Sequence, residues 1–529
     1  MSSMRSLLCA AALALGCAKD TAPPPPAAPA AATYTNPVIP GDHPDPSVIR
    51  AGGEYWATAT SSQWGPPFPL LRSKDLVSWQ AAGSVLPRPP GWSAGSYWAP
   101  EIAAHAGRYF VYYTARRRNG PLCVAVATAS APAGPYEDHG PMVCQDVGSI
   151  DAVPVTDEKG EWYLVWKEDG NSQKRPTPIW AQRLDADGTG LVGEPVELIR
   201  NDQPWEGALV EGPFLVRRGD VFYMFYSGNA CCGRRCDYAL GVARARRLLG
   251  PWEKNPANPI LRGNEHWKCP GHGSIVEGPG GGDYLLYHAY DPEEFVYVGR
   301  QALLDRIDWG ADGWPAINGG AGPSARAALP AGAAPQAAER SFADEFRDRA
   351  LPGWQWPQGN EPSVRVETGD GGWLVLAPRP EHAQDPVGAV IGRSTTTGDY
   401  VATARLATTG LAAGAAAGLS AYGNDANAIG LALRDGRVVL WRRVKGQHTD
   451  APGVPAPAGP ALHLRLTARD GHRFRFAMSG DGQTWMDVGG EGEGEHLPPW
   501  DLGVRVALTA GGASGATARF DWLRIEPAR

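Results

Sequence analysis

The segment AGRYFVYYT, residues 106–114, is a turn followed by an aromatic-rich strand, and its form recurs along the chain. GGEYWATAT (52–60), KGEWYLVWK (159–167), RGDVFYMFY (218–226) and GGDYLLYHA (281–289) share it. Their first aromatic residues are Tyr55, Tyr109, Trp162, Phe222 and Tyr284, separated by 54, 53, 60 and 62 residues. A second element repeats inside the array, where VATASAPAGPYE ends at Glu137 and VARARRLLGPWE at Glu253. A propeller blade is a four-stranded sheet of about 40–50 residues, and loops readily add more. The repeat therefore predicts an all-β chain whose first part is a five-bladed β-propeller, from about Tyr34 to Ile317.

Composition agrees with that reading. The 529 residues include 67 Gly and 49 Pro, which favours short strands and tight turns over helical bundles. Twenty Trp, 17 Tyr and 11 Phe supply a large core and argue against disorder. The net charge of −7 leaves no basic footprint for a nucleic-acid backbone, so a nucleic-acid partner is not expected.

Working outward from each aromatic strand, Asp45, Trp98, Asp151, Glu211 and His272 lie 10, 11, 11, 11 and 12 residues before its first aromatic. Each one alone has an ordinary explanation. Asp45 sits between Pro44 and Pro46, a common turn setting, and Asp151 reads equally well as a turn residue at a strand end. Trp98 alone reads as core, and His272 between two glycines as a hydrogen-bonded structural residue. Glu211 competes with Glu206, which the register rejects because it lies 16 residues before Phe222. Chance turn residues have no reason to share one blade position, however. The common offset predicts that these side chains converge on the axis from the innermost strands.

Three carboxylates, an indole and an imidazole in one depression suit glycoside hydrolysis. That reaction needs one carboxylic acid to protonate the leaving oxygen and one carboxylate to activate water or attack. A third carboxylate raises the pKa of the acid by like-charge repulsion. Asp45 and Glu211 fall in non-adjacent blades, which favours the wider carboxyl separation of an inverting enzyme.

NPVIPGDHPDPSVIR (36–50), YWAPEI (97–102), GSIDAVPVTDEKGEWYLVW (148–166), LVEGPFLVRRG (209–219), CPGHGSIVEG (269–278) and GRQALLDRIDWGADGWP (299–315) together resemble glycoside hydrolase family 43. The resemblance implies an inverting mechanism with Asp45 as general base, Glu211 as general acid and Asp151 as modulator and orienter of that acid. It implies that Arg300 approaches the site and that His272 lies on the axis near a water-coordinated ion, often calcium, with no cofactor required for the chemistry. A single His is a poor calcium ligand, so a purely structural His272 stands beside that reading. Trp64, Phe68 and Trp98 are candidate sugar platforms, although Trp64 and Phe68 fit equally well as caps of the propeller rim. The implied substrates are pentose-containing oligosaccharides or polysaccharides. The expected activity is α-L-arabinofuranosidase or β-xylosidase, with endo-α-1,5-arabinanase and a non-catalytic sugar-binding propeller as rivals.

The propeller is expected over 34–323 and an Ala/Pro-rich linker over 324–339. From 340 to 529, alternating strands with Asp435-Gly436 and Asp481-Gly482 turns predict a β-sandwich. FADEFRDRALPGWQW and FDWLRIEP resemble the lectin-like sandwich appended to some family 43 enzymes. At the other end, Arg5, the apolar run Leu7–Leu15 and Gly16-Cys17 read as an export signal (1–17) of lipoprotein type, followed by a Pro/Ala tether (18–33). Export to the cell envelope or surface through a lipid anchor is expected, with ordinary cleavage near Ala10–Ala12 and periplasmic or secreted release as the rival. Beyond Cys9 and Cys17, six cysteines remain, which an exported chain joins as loop disulfides, and CCGRRC (231–236) lacks zinc-site spacing.

Overall fold

A computed structural model describes residues 32–334, 339–369 and 371–528. The expected export signal and all of the tether before Ala32 lie outside the described residues.

Five four-stranded antiparallel sheets follow one another in sequence, and each takes all four strands from one contiguous stretch. Their first strands are Ser47–Ala51, Trp98–His105, Ser149–Thr156, Val210–Arg218 and Lys268–Glu277. These five strands touch one another in cyclic order, closing a ring with blade 1 against blade 5, which makes them the innermost strands. The aromatic strands are second in each blade and pack between sheets. Tyr55, Val48, Tyr284 and Leu286 form part of the cluster that joins blades 1 and 5.

The inner strands share a bend that the sequence offsets located to within one residue. Asp45, Ala99, Asp151, Gly212 and His272 all adopt positive φ, between 35° and 59°. Trp98 and Glu211, expected at the equivalent position, sit one residue earlier. The end of the preceding blade's aromatic strand clamps most of these bends. Thr60 Oγ1 accepts from Ala99 N–H at 2.7 Å, Thr114 Oγ1 from Asp151 N–H at 3.2 Å and Ser227 Oγ from His272 N–H at 2.9 Å. His288 Nδ1 accepts from Asp45 N–H at 3.0 Å, closing the ring between blades 5 and 1. Blade 3 breaks the pattern: Lys167 occupies the clamp position, and Gly212 N–H donates instead to Asp151 Oδ2 at 2.9 Å.

The stretch expected as a linker, 324–339, starts inside the propeller. Ser324 is buried and bonds to Asp305, while Arg326–Ala328 pairs with Thr33–Thr35. The strand Thr33–Thr35 needs a partner for its backbone groups, and this segment supplies it. The C-terminal domain is a sandwich of two antiparallel sheets around one apolar core that includes Ala402, Ala404, Leu406, Leu464, Leu508 and Phe520.

The sandwich is fastened to the propeller. Trp64–Gly65 pairs with Trp356–Pro357, and Trp64 is buried among Val390, Tyr422, Trp441 and Leu502. Asp42 Oδ2 accepts from Arg505 Nη1 at 3.0 Å and from Gly503 N–H at 3.0 Å, with both charged side chains 1% exposed. Cys123–Cys144, Cys231–Cys232 and Cys236–Cys269 form disulfides as expected, though Cys123 and Cys269 stand on strands and only their partners on loops.

Candidate active site

The bends aim their side chains into one cavity of about 730 Å³, lined by Asp45, Trp98, Asp151, Glu211, His272 and Arg300 among others. All six of these were singled out from the sequence. Trp64 and Phe68 are not among its lining residues, and their reading as sugar platforms is corrected. Trp64 is 2% exposed in the interdomain cluster, and Phe68 is fully buried between blades 1 and 2 against Tyr97 and Tyr113. Large aromatic surfaces gain most by packing, and both found partners. Glu206 is buried away from the cavity, paired with Lys254 and bonded by Tyr226, so of the two competing glutamates it is Glu211 that faces the cavity.

Asp45 is held as a carboxylate. Arg300 Nη1 donates to its Oδ1 at 3.0 Å and Thr60 Oγ1 to its Oδ2 at 2.6 Å, while His272 Nδ1 lies 3.5 Å from Oδ1. Burial opposes ionisation, but the Arg300 guanidinium, with His272 beside it, outweighs burial and holds Asp45 well below the usual carboxylate range. His288 Nδ1 accepts from the Asp45 backbone, so its ring is neutral there; burial and Arg300 push its pKa down to about 4. Arg300 also reaches the Asp501 carbonyl at 3.3 Å, and its backbone N–H is held by Asp42 Oδ1 at 3.2 Å.

Asp151 and Glu211 behave oppositely. Burial, with the Glu211 charge, pushes Asp151 up to about 7 against the pull of His272 and Lys167. Burial also acts to raise Glu211, yet Lys167 Nζ at 2.7 Å from Oε2 and Tyr238 Oη at 2.9 Å from Oε1 bring it below the usual range. The repulsion expected between the two carboxylates is present, but it helps raise Asp151, while Glu211 is lowered. Asp151 Oδ2 grips Gly212 N–H, the peptide that follows Glu211, and thereby fixes the strand that presents Glu211. Gly212 is required here: at φ +56°, an added Cβ would stand 2.8 Å from the His272 ring.

Lys167, Tyr238, His288 and Thr60 were not singled out from the sequence. The blade register carried a signal for three of them, since Thr60, Lys167 and His288 end their aromatic strands at nearly the same offset. Trp500 and Asp501 of the sandwich also line the cavity, and no signal linked them to residues some 400 positions earlier. Trp500 meets Trp98 edge to face at 5.9 Å, and Trp98 Nε1 donates to Ser62 Oγ, which in turn donates to Asp501 Oδ2.

The surroundings of His272 do not fit a protein-ligated calcium. Calcium takes six to eight oxygen ligands, whereas His272 Nδ1 faces Asp45 and Asp151 at 3.5 and 3.9 Å. Among the described residues, no three His, Cys, Asp or Glu side chains gather in ligand geometry.

The model for glycosyl hydrolases family 43 matches residues 34–315. The chain belongs to this family. The model for the β-xylosidase C-terminal concanavalin A-like domain matches residues 343–526. A family 43 structure from Bacillus licheniformis superposes with a TM-score of 0.82 at 26% identity, covering 94% of this chain and all of that one. A "Xylosidase/arabinosidase" of Butyrivibrio fibrisolvens is 29% identical over 54% of this chain and 57% of its own length. A "Non-reducing end alpha-L-arabinofuranosidase" of Bacteroides ovatus is 28% identical over 54% of this chain and 53% of its own. The chain thus spans little more than half the length of these two curated relatives.

Proposed function

We propose that this protein is an exo-acting, inverting glycosidase that removes terminal pentose units, α-L-arabinofuranosyl or β-D-xylosyl, from plant-type oligosaccharides or polysaccharides. One observation carries the reading: Asp45, Asp151 and Glu211, from three blades, stand in one cavity to which the sandwich adds a wall of Trp500 and Asp501. A walled pocket takes a chain end, whereas an endo-acting enzyme needs a cleft open at both sides. The names of the xylosidase and arabinofuranosidase relatives support the sugar class.

In this reading Asp45 is the general base. It takes a proton from a water that attacks the anomeric carbon, and Arg300 and Thr60 keep it ionised and oriented. Glu211 gives its proton to the leaving oxygen as the glycosidic C–O bond breaks. Asp151 aligns Glu211 through the Gly212 peptide. Net, one water is consumed, and the proton taken by Asp45 returns to solvent as Glu211 is reprotonated. No cofactor enters these steps.

The test is hydrolysis of p-nitrophenyl α-L-arabinofuranoside, p-nitrophenyl β-D-xyloside and debranched arabinan by wild type and Asp45→Asn, with NMR of the first anomer released. Cleavage of one pentoside with inverted product, lost by roughly a thousandfold or more in the variant, is expected. Release from arabinan alone would favour the endo reading, and sugar binding without any turnover the non-catalytic one. We also propose export with lipidation at Cys17, on the strength of Arg5, the Leu7–Leu15 run and Gly16-Cys17. Incorporation of a fatty-acid label that Cys17→Ala abolishes is the expected result.

A further inference from the structure

The Cys231–Cys232 disulfide joins adjacent residues, and both line the catalytic cavity. Its position relative to the carboxylates assigns it a side of the substrate. The strand Val221–Gly228 pairs with the strand of Glu211, with Glu211 opposite Ser227 and Val210 opposite Gly228. The disulfide follows three residues later, on the blade of Glu211 itself. The groups that hold Asp45, namely Arg300, His288 and Thr60, come instead from blades 5 and 1. A general acid must reach the leaving oxygen while the base activates water on the opposite face of the sugar. The cavity wall on the blade of Glu211 is therefore the wall that meets the leaving group.

The same segment is braced so that it holds its place. Cys236–Cys269 ties it to the inner strand that carries His272. Gly233 N–H donates to Tyr290 Oη at 3.2 Å, and Arg234 Nη2 donates to Tyr297 Oη at 2.8 Å and to the Glu495 carbonyl at 3.1 Å. Gly233 also lies against the sandwich, where an added Cβ would stand 3.3 Å from the Trp500 carbonyl. The segment ends at Tyr238, which donates to Glu211. Leu209 and Cys231 pack on a small apolar cluster behind the wall, built from Tyr238, Cys269, Tyr290 and Tyr297. A disulfide between neighbours closes a small covalent ring, so the cavity meets two polarizable sulfurs on a backbone with little freedom left to lose on binding.

We infer that the Cys231–Cys232 disulfide, with its neighbours Leu209 and Trp500, forms the surface that receives the leaving-group residue and sets leaving-group preference. This inference rests on the pentosidase reading above. A wall of this kind moves the affinity of substrates that extend past the scissile bond and leaves the binding of a lone pentose unchanged.

The experiment compares wild type with Cys231→Ser/Cys232→Ser, leaving the other two disulfides intact. Three readouts are taken: KM and kcat for xylobiose or arabinobiose, KM for the matching p-nitrophenyl pentoside, and Ki for the free pentose. The double variant is expected to raise KM for the disaccharide roughly five- to tenfold, as loss of an apolar contact face does, with Ki within about twofold of wild type. Unchanged KM, or a Ki that rises in parallel, overturns the assignment. Should the variant fail to fold, a crystal of Glu211→Gln with the disulfide intact and xylobiose or arabinobiose bound decides the matter. The second ring is expected within about 4 Å of a cysteine sulfur, and a ring seated elsewhere overturns the assignment. A wild type that cleaves no pentoside would bring down the pentosidase reading and this inference together. A wild type that does so while the variant keeps its KM brings down this inference alone.

Discussion

Lys167 Nζ lies 2.7 Å from Glu211 Oε2 and 2.9 Å from Asp169 Oδ1, with the lysine side chain only 1% exposed. In the ring of inner-strand bends, the equivalent places hold Thr60, Thr114, Ser227 and His288, each accepting a backbone N–H. The Lys167 ammonium cannot accept one and makes a charge contact instead. The exchange draws Glu211 down, while burial and the Glu211 charge raise Asp151. Proton loss from such a pair is a property of both carboxyls together.

Replacing Lys167 with Met removes the cation that favours proton loss. The pair then keeps its proton to higher pH, and the alkaline limb of kcat/KM is expected to move upward by about one unit or more. Activity at neutral pH should fall about 10- to 100-fold because Glu211 loses its anchor. A limb that stays in place would show that Lys167 does not govern the pair.

Asp151 gives a stability prediction with a definite sign. Its folded pKa of about 7 exceeds the unfolded value, so between roughly pH 4 and 7 the native state binds more protons and stability falls as pH rises. Asp151→Asn abolishes that loss while its amide oxygen can still accept Gly212 N–H. The variant should melt a few degrees above wild type at pH 8, about 2–4 °C for each kcal/mol, and show little gain at pH 4, while losing most activity. Equal melting shifts at both pH values would contradict it.

Arg505 and Asp42 make a buried ion pair between the two domains, and Asp42 also positions Arg300 through its backbone N–H. Arg505→Ala leaves a buried carboxylate without its cation and is expected to cost about 3–5 kcal/mol. Activity should drop along with stability, because Arg300 holds Asp45. Thermal melting and kcat measured below the melting range separate the two effects. A melting temperature within a degree of wild type would argue that the domains are not fastened here.

Trp500 is 62% exposed, so Trp500→Ala is expected to change stability by no more than about 0.5 kcal/mol. It stands edge to face with Trp98 at the cavity rim, and KM for pentosides should rise several-fold with kcat less affected. An unaltered KM would remove Trp500 from the substrate path.

The order of residues was enough to locate the blades and the carboxylates. A blade is a local object of four consecutive strands, so its turn and aromatic strand repeat in the chain at a readable interval, and side chains at one offset share one height around the axis. That is why Asp45, Asp151, Glu211 and His272, far apart in the chain, were legible as one site. The offset could not show that the bend falls on Ala99 instead of on Trp98, because a one-residue bulge at an alanine leaves no mark in residue type, whereas Gly212 carries such a mark beside Glu211. Which aromatics face the cavity was settled by packing in three dimensions. Trp64 was drawn into the core between the domains and Phe68 into the core between blades 1 and 2, while Trp500 was left at the rim, since burial depends on what distant segments bring against each ring. Packing also set the charge state of the acid. An ion pair such as Lys167 with Glu211 depends on a few ångströms across two blades and on the exclusion of water, and neither is written in the order of residues.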